Sequence, residues 1–339
     1  MNWFLGLGLS VVAGIVPAAF YVGFVVWLDR YEKEPWWLMF LSFLWGAIPA
    51  VLAALVAQIL LDIPTTWVFD QATLAYEIVG ASIWAPVTEE LAKGLGVVLI
   101  LILARREIDS MLDGIVYGAL AGLGFALTEN VLYFGAAVAE DGWGAWAVIV
   151  LMRTIPFGLN HALFTGLTGA GVAAVHLGRT WPIRIIALPA GLIGGIGIHS
   201  LHNLGASLAG ESCAPICLSF LFDWGGILLL GVLVGLVWRQ EKAWILANLP
   251  GEVDEQVLKT LTTWRRWQSA RWGALLRTDL SGWRRLGQVR QHATEIAFKK
   301  QRRAEGGLSP DLDAAIDKHR LKLKALGAGH MESDQATGD

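Results

Sequence analysis

Seven long apolar segments restrict this 339-residue chain to folds that can exist within a lipid bilayer. Each approaches or exceeds the roughly 20 residues that a helix needs to cross the hydrocarbon core. Inside lipid, every backbone N–H and C=O must find a partner within the protein, so these runs predict helices. Hydrophobic residues make up 55% of the chain and charged residues only 16%, which is not the composition of a soluble protein. The segments lie near residues 3–28, 36–61, 75–104, 113–138, 146–176, 182–208 and 218–238.

Basic residues occur in alternate loops between these segments. Lysine and arginine occur in the loops at 29–35, 105–112 and 177–184, whereas the loops at 62–74, 139–145 and 209–217 carry acidic residues and no basic ones. Because cytoplasmic loops carry the excess of lysine and arginine, the first set is expected in the cytoplasm. The sequence therefore predicts an all-α, polytopic transmembrane helical bundle of about seven spans in the cell membrane. Its N-terminus is expected outside and its C-terminus in the cytoplasm.

Residues 239–339 form a second predicted region, a basic cytosolic tail that follows the transmembrane domain of residues 1–238. Of the 26 lysine and arginine residues, 18 follow residue 238. Apolar residues recur at helical spacing from Val253 onward, which predicts two or three amphipathic helices. Two interpretations of the Trp-Arg-Arg-Trp cluster at 264–267 stay open: contact with anionic lipid headgroups, or a place in a small solvated helical appendage.

Ionisable side chains interrupt four consecutive spans, where each charge costs about 2.5–3.5 kcal/mol at the centre of a helix. Glu89 and Glu90 are adjacent, and Lys93 follows one helical turn later. The other ionisable or amide side chains of these spans are Glu129, Asn130, Arg153, Asn160, His161, His199, His202 and Asn203. Arg153 is expected to snorkel or to counter an acid, and His202 to have a structural or supporting role. A function is the best explanation for so many buried charges.

Glu89, Glu129, His161 and His199 are predicted to meet in one layer of the bundle. Counted from the outer helix ends at 1.5 Å per residue, they lie roughly 9 to 15 residues deep. Small residues would let the backbones approach closely around them, and these are Gly118, Gly122, Gly124, Gly194, Gly195 and Gly197. Carboxylate and imidazole groups can bind Zn²⁺ and activate water. A metal-free site could instead use a glutamate as base, with histidine and asparagine stabilising an oxyanion.

Four short motifs resemble, in order, those of the PrsW-type intramembrane proteases, distant relatives of the CAAX prenyl endopeptidases. The stretch Glu89–Lys93 matches the family's EExxK motif, and Phe125–Asn130 resembles its FxxxEN motif. His161 in NHALFTG and His199 in HSLHN resemble the later histidine motifs. The resemblance extends over roughly residues 10–210, and the ordered set of motifs is far more specific than EExxK alone.

This resemblance implies an intramembrane metal-dependent endopeptidase that cuts a membrane-protein substrate in or near a transmembrane segment. By resemblance, that substrate would be like an anti-sigma factor. It also implies a catalytic and metal-binding set, which consists of Glu89, Glu90, Glu129, His161 and His199. Within this set we assign Glu129, His161 and His199 as the Zn²⁺ ligands. In the same assignment Glu89 is the general base, Glu90 is a further ligand or a partner of Lys93, and Asn203 donates to the oxyanion. The wider superfamily has histidine at the position of Glu129, so in this assignment a carboxylate takes the place of an imidazole.

Three alternatives remain open at the level of sequence: a metal-free glutamate/histidine hydrolase, a non-catalytic membrane scaffold, and an ion or proton transporter. The expected partners are a membrane-protein substrate and the lipid bilayer, and no nucleic acid. Cys213 and Cys217 would form a disulfide if their loop faces an oxidising compartment, and would otherwise be free thiols.

Overall fold

The computed structural model describes residues 3–178, 180–304 and 310–329, and these residues form α-helices without any β-strand. The prediction of an all-α fold is therefore confirmed. The helices are α1 (Trp3–Leu28), α2 (Trp36–Trp45), α3 (Val51–Thr65), α4 (Leu74–Val79), α5 (Ala85–Leu103), α6 (Met111–Glu140), α7 (Trp143–Thr154), α8 (Asn160–Leu177), α9 (Trp181–Ser207), α10 (Cys213–Asn248), α11 (Glu255–Leu261), α12 (Trp264–Leu276), α13 (Leu280–Ala304) and α14 (Pro310–Ala325). Short π-helical segments connect α2 to α3 and α4 to α5.

Five helices among the described residues are long and apolar enough to cross a membrane. They are Phe4–Leu28, Trp36–Thr65, Met111–Glu140, Trp181–Ser207 and Cys213–Asn248. The predicted segment 75–104 does not qualify because α5 carries three charged side chains. The predicted segment 146–176 is split into α7 and α8 by a break at Ile155–Leu159. The apolar helices indicate a membrane protein, whereas the count of seven spans and their orientation remain predictions.

The chain forms two compact units. The first contains Glu34–Val234 and the residues up to Asp29, and therefore α1 to α9 and most of α10. The second contains Arg30–Lys33 and the residues from Gly235 onward, with α11 to α14. The division after residue 238 into a membrane domain and a tail remains a prediction.

Helix α6 is the buried helix of the first unit, and glycines allow α8 to pack directly on its backbone. Every residue from Leu112 to Ala126 is buried. A Cβ atom added at Gly122 would lie 2.0 Å from the carbonyl oxygen of His161, so no larger residue fits there without moving a helix. Close approaches of the same kind occur at Gly118, Gly124 and Gly195, but not at Gly194 or Gly197. The glycine prediction is thus correct for the residues that face α2 or α8.

The second unit has its own core between α10 and the tail helices. Ile245, Trp267, Val289 and Ile296 are buried in it. The described residues of the tail form four helices, where the sequence predicted two or three. Trp267 is 3% exposed, so this residue of the Trp-Arg-Arg-Trp cluster packs in the core of the unit and cannot contact lipid headgroups.

Candidate metal centre

Helix α5 carries three charged side chains that are all buried. Glu89 is 5% exposed, and Glu90 and Lys93 are 0% exposed. The Nζ atom of Lys93 lies 2.6 Å from Glu90 Oε1 and 3.5 Å from Glu89 Oε2, at the i+3 and i+4 spacings of a helix. Glu90 and Lys93 therefore form the close pair considered from the sequence. The carboxylate of Glu89 has only the longer contact, of 3.5 Å, with Lys93 Nζ.

Glu90 also fixes the orientation of His199 on α9. His199 Nδ1 lies 3.0 Å from Glu90 Oε1, while its Nε2 faces Glu89 Oε2 at 3.8 Å. The hydroxyl of Thr165 donates to the other oxygen of Glu90 at 2.8 Å. The ring of Phe164 stacks on His199 with the centroids 4.6 Å apart. Because Glu90 already has three partners, it is suited to orienting the imidazole rather than to binding a further group.

His161 lies in the first turn of α8, just after the break in the chain. Its Nε2 is 2.9 Å from Glu129 Oε2 on α6, and its Nδ1 is 3.2 Å from Lys93 Nζ. The His161 ring lies 5.1 Å from that of His199, measured between centroids. The carbonyl of His161 packs against Gly122, so the close approach of α6 and α8 sets the depth of this imidazole.

Arg153 at the end of α7 pairs with Glu129. Its guanidinium forms a salt bridge with Glu129 and donates from Nε to Asn130 Oδ1 at 2.6 Å. The guanidinium also lies over the ring of Tyr133, 4.2 Å from the centroid. Arg153 thus counters an acid, one of the two roles expected from the sequence. Glu129 is shared between this cation and His161.

The atoms of Glu89, His161 and His199 that could bind a metal ion all lie within 4.8 Å of one another. Two imidazoles and one carboxylate are a donor set found in catalytic zinc sites, where a fourth position stays open. The surrounding charges also suit a cation, since Glu89, Glu90 and Glu129 outnumber Lys93 and Arg153 by one. The residues therefore fit a divalent metal. The group that meets this geometry contains Glu89, where the sequence-based ligand set had Glu129.

A cavity of about 1180 Å³ gives access to the centre. Glu89, Glu129 and His161 are among its lining residues, as are Asp62 and Asp141 near the ends of α3 and α6. Glu90 and His199 are not among the lining residues, so they lie behind the first layer of side chains. The cavity is large enough to hold water and a segment of another polypeptide.

Asn203 and Gln58 line the same cavity and carry amide groups. Asn203 Nδ2 donates to the carbonyl of Ala81 at 2.8 Å, which leaves its second N–H for another acceptor. Gln58 Nε2 lies 3.3 Å from Thr88 Oγ1 and 3.5 Å from Glu89 Oε1. The proposed role of Asn203 toward an oxyanion stays a prediction, and Gln58 is a second amide near the candidate site.

Sequence reasoning missed Asp223, Gln58 and Thr165. Asp223 on α10 is 0% exposed, and its Oδ2 lies 2.8 Å from His202 Nδ1 and 2.9 Å from Asn160 Nδ2. A signal was present, because Asp223 is the single charged residue in the apolar segment 218–238. His202 has the supporting contacts expected of it. Cys213 and Cys217 are exposed free thiols at the start of α10.

Comparison with known proteins relates this arrangement to a family. The model for "PrsW family intramembrane metalloprotease" matches residues 34–239. The chain is similar to Protease PrsW of Geobacillus kaustophilus (strain HTA426), with 31% identity over 165 residues, 47% of this chain and 63% of the relative. Protease PrsW of Bacillus subtilis (strain 168) is 31% identical over 129 residues, 36% of this chain and 52% of the relative. The chain thus covers less than two thirds of the length of these curated relatives.

No solved structure matches this chain. The family match extends over more than half of the sequence and includes all four helices, α5, α6, α8 and α9, that carry the candidate metal centre. The chain therefore belongs to the PrsW family of intramembrane metalloproteases.

Proposed function

We propose that this protein is an intramembrane metal-dependent endopeptidase that hydrolyses a peptide bond in or near a transmembrane segment of a membrane-protein substrate. The observation that carries the proposal is the convergence of Glu89, His161 and His199 within 4.8 Å. The cavity beside them supports it further, because peptide hydrolysis requires water and a polar site inside an otherwise apolar bundle. Family membership agrees with this class of reaction.

The metal in this proposal is Zn²⁺, held by Glu89, His161 and His199. A bound Zn²⁺ would lower the pKa of water to about 7 and polarise the carbonyl of the scissile bond. Glu90 holds the His199 ring so that Nε2 faces Glu89, as supporting carboxylates do for histidine ligands. Lys93 compensates Glu90, which keeps the cluster from accumulating three adjacent negative charges.

With Glu89 as a ligand, the general base is Glu129. Its carboxylate lines the cavity, contacts His161 Nε2 and is neutralised in part by Arg153. The assignment made from the sequence exchanges these roles, with Glu129 as ligand and Glu89 as base. In both assignments the second amide N–H of Asn203 is available to an oxyanion from the cavity wall.

The substrate proposed is a membrane protein with an apolar segment that enters the cavity. Aliphatic side chains of Val51, Leu55, Ile59 and Leu132 line the cavity together with the carboxylates of Glu89 and Glu129. Such a cavity suits an apolar polypeptide that presents one peptide group to the polar centre. By resemblance, a membrane-anchored anti-sigma factor is the model for such a substrate.

The test is the zinc content and cleavage activity of full-length protein purified in detergent, compared among four variants. Elemental mass spectrometry gives the zinc per chain, and a fluorescent transmembrane peptide reports cleavage. The variants are wild type, Glu89→Gln, Glu129→Gln and, as a matched control on α6, the exposed Glu140→Gln. Loss of a ligand removes zinc, whereas loss of the base leaves zinc bound and abolishes cleavage.

We expect about one zinc per chain in wild type and in Glu140→Gln, little in Glu89→Gln, and bound zinc without cleavage in Glu129→Gln. The reverse pattern would restore the assignment made from the sequence. Absence of zinc from active wild-type protein would contradict the metal-dependent mechanism. Zinc-free and inactive wild type would favour a scaffold, and proton-coupled uptake in liposomes would favour a transporter.

One observation favours the metal-free hydrolase as a second candidate. Lys93 Nζ lies within 3.5 Å of Glu89, Glu90 and His161, so a fixed cation already occupies the centre of the cluster. A buried lysine of this kind could stabilise an oxyanion without a metal. Cleavage that persists in a strong chelator and disappears in Lys93→Met would support that candidate.

A further inference from the structure

Asp223 forms a second buried polar cluster beside the candidate metal centre. It lies on α10 with 0% exposure, in a segment that is otherwise apolar. Its Oδ2 atom lies 2.8 Å from His202 Nδ1 on α9 and 2.9 Å from Asn160 Nδ2 on α8. Asn160 Nδ2 and His202 Nδ1 are themselves 3.1 Å apart. Burial of a carboxylate is energetically unfavourable unless hydrogen bonds compensate it. The contacts of Asp223 with both neighbouring helices provide such hydrogen bonds.

The face of α10 that carries Asp223 packs tightly on its neighbours. One turn earlier, Ser219 Oγ donates to the carbonyl of Leu201 at 3.0 Å. A Cβ atom added at Gly205 would lie 1.8 Å from that hydroxyl oxygen, so α9 and α10 meet without space between them. Trp224 Nε1 donates at 3.0 Å to the carbonyl of Pro156, within the break between α7 and α8. Helix α10 therefore holds α9 and the start of α8 at a fixed distance.

The two partners of Asp223 lie on the same helices as the candidate histidine ligands and within one turn of them. Asn160 is the first residue of α8 and precedes His161, and His202 follows His199 by three residues on α9. One carboxylate thus connects the two helix segments that carry the two imidazoles. A displacement of either segment would change the distance between the imidazoles.

We propose that Asp223 is a positioning residue of the candidate metal centre. Through Asn160 and His202 it holds α8 and α9 at the separation at which His161 and His199 can bind one ion. This inference rests on the proposed function for the identity of the ion. The positioning itself is a property of the protein without metal and can be measured separately.

Three variants of the full-length protein in detergent test the inference. Asp223→Ala removes the connection. Asp223→Asn keeps one oxygen for Asn160 and His202 and places its amide where Oδ1 now lies, and Oδ1 has no hydrogen-bond partner within the described part of the chain. Ser219→Ala is the matched control, because it removes another hydrogen bond between α10 and α9 on the same face of α10.

Two measurements are made on each variant. The zinc Kd, from competition with a chelator, is expected to rise about 10–100-fold in Asp223→Ala, as for other supporting residues of metal sites. Hydrogen–deuterium exchange without zinc is expected to accelerate in the first turns of α8 in the same variant. Asp223→Asn and Ser219→Ala should stay within about threefold of wild type in both measurements.

The outcomes separate this inference from the proposed function. If α8 exchanges at the wild-type rate in Asp223→Ala, the positioning role is wrong, whatever happens to zinc. If exchange accelerates while wild-type protein binds no zinc, the positioning role stands and the metal site is wrong. If Asp223→Ala and Ser219→Ala raised the zinc Kd and the exchange rate of α8 equally, the effect would be one of general packing. That result would also overturn the inference.

Discussion

His199 Nδ1 lies 3.0 Å from Glu90 Oε1, and this contact gives the two adjacent glutamates different roles. The carboxylate of Glu90 contacts His199, Lys93 and Thr165, whereas Glu89 lines the cavity. Side chains of adjacent residues on a helix point about 100° apart, so one of the two can face the ligand and the other the supporting helices. In the proposed function, the EExxK sequence would supply a metal ligand, Glu89, together with Glu90, which orients a second ligand.

We expect Glu90→Ala to weaken zinc binding about 10–100-fold, because His199 loses the carboxylate that orients its ring. The zinc Kd is measured by chelator competition in full-length protein. Glu77→Gln, at an exposed acid on α4, serves as the control and should leave the Kd unchanged. A wild-type Kd in Glu90→Ala would show that the ring is held by other contacts.

Lys93→Met should destabilise the protein by about 3–5 kcal/mol, since removal of one partner leaves the other charge buried and unpaired. The double variant Glu90→Gln with Lys93→Met should recover much of this loss, because both members of the pair are then neutral. Unfolding of all three proteins in the same detergent measures the effect. A double variant that is no more stable than Lys93→Met would contradict the pairing.

Gly122→Ala should reduce both stability and zinc binding. The added methyl group would lie 2.0 Å from the carbonyl of His161, so α8 must move away from α6. Gly197→Ala is the control, because a Cβ atom at that position meets nothing within 4 Å. Alanine favours a helix over glycine by about 1 kcal/mol, so Gly197→Ala should be neutral or stabilising in thermal unfolding.

The second unit should lose stability as the pH falls from about 6.5 toward 4. Burial lowers the pKa of His319 to about 4, with further effects from Glu295, Lys299, His292 and Lys322. The unfolded chain takes up a proton near pH 6.5, while the folded state stays neutral until about pH 4, so acid favours unfolding over this interval.

Hydrogen exchange of α13 and α14 at pH 7 and pH 5, corrected for intrinsic rates, measures this effect in the full-length protein. The variant His319→Gln should show a smaller difference between the two pH values. An unchanged pH dependence in that variant would assign the effect to another group.

The sequence predicted the meeting of α5, α6, α8 and α9 because depth along a helix follows directly from residue count. It could not predict rotation about each helix axis, which decides whether Glu89 or Glu129 completes the three-donor group. The hydrophobic pattern of 146–176 also concealed the break at Ile155–Leu159, where Pro156 and Gly158 interrupt an apolar run. The contact of Asp223 with Asn160 depends on how α8 and α10 pack, so the local sequence around either residue does not predict it.

The burial of Glu89 has a consequence for which bonds the proposed peptidase could cut. In an intact transmembrane helix, each carbonyl is hydrogen-bonded to an N–H four residues later and is surrounded by side chains. Such a carbonyl cannot approach Glu89, which is 5% exposed, unless the helix first unwinds locally. Selection would then depend on how easily a bound segment loses its helical form, so glycine and proline near the scissile bond would promote cleavage more than any single recognised side chain.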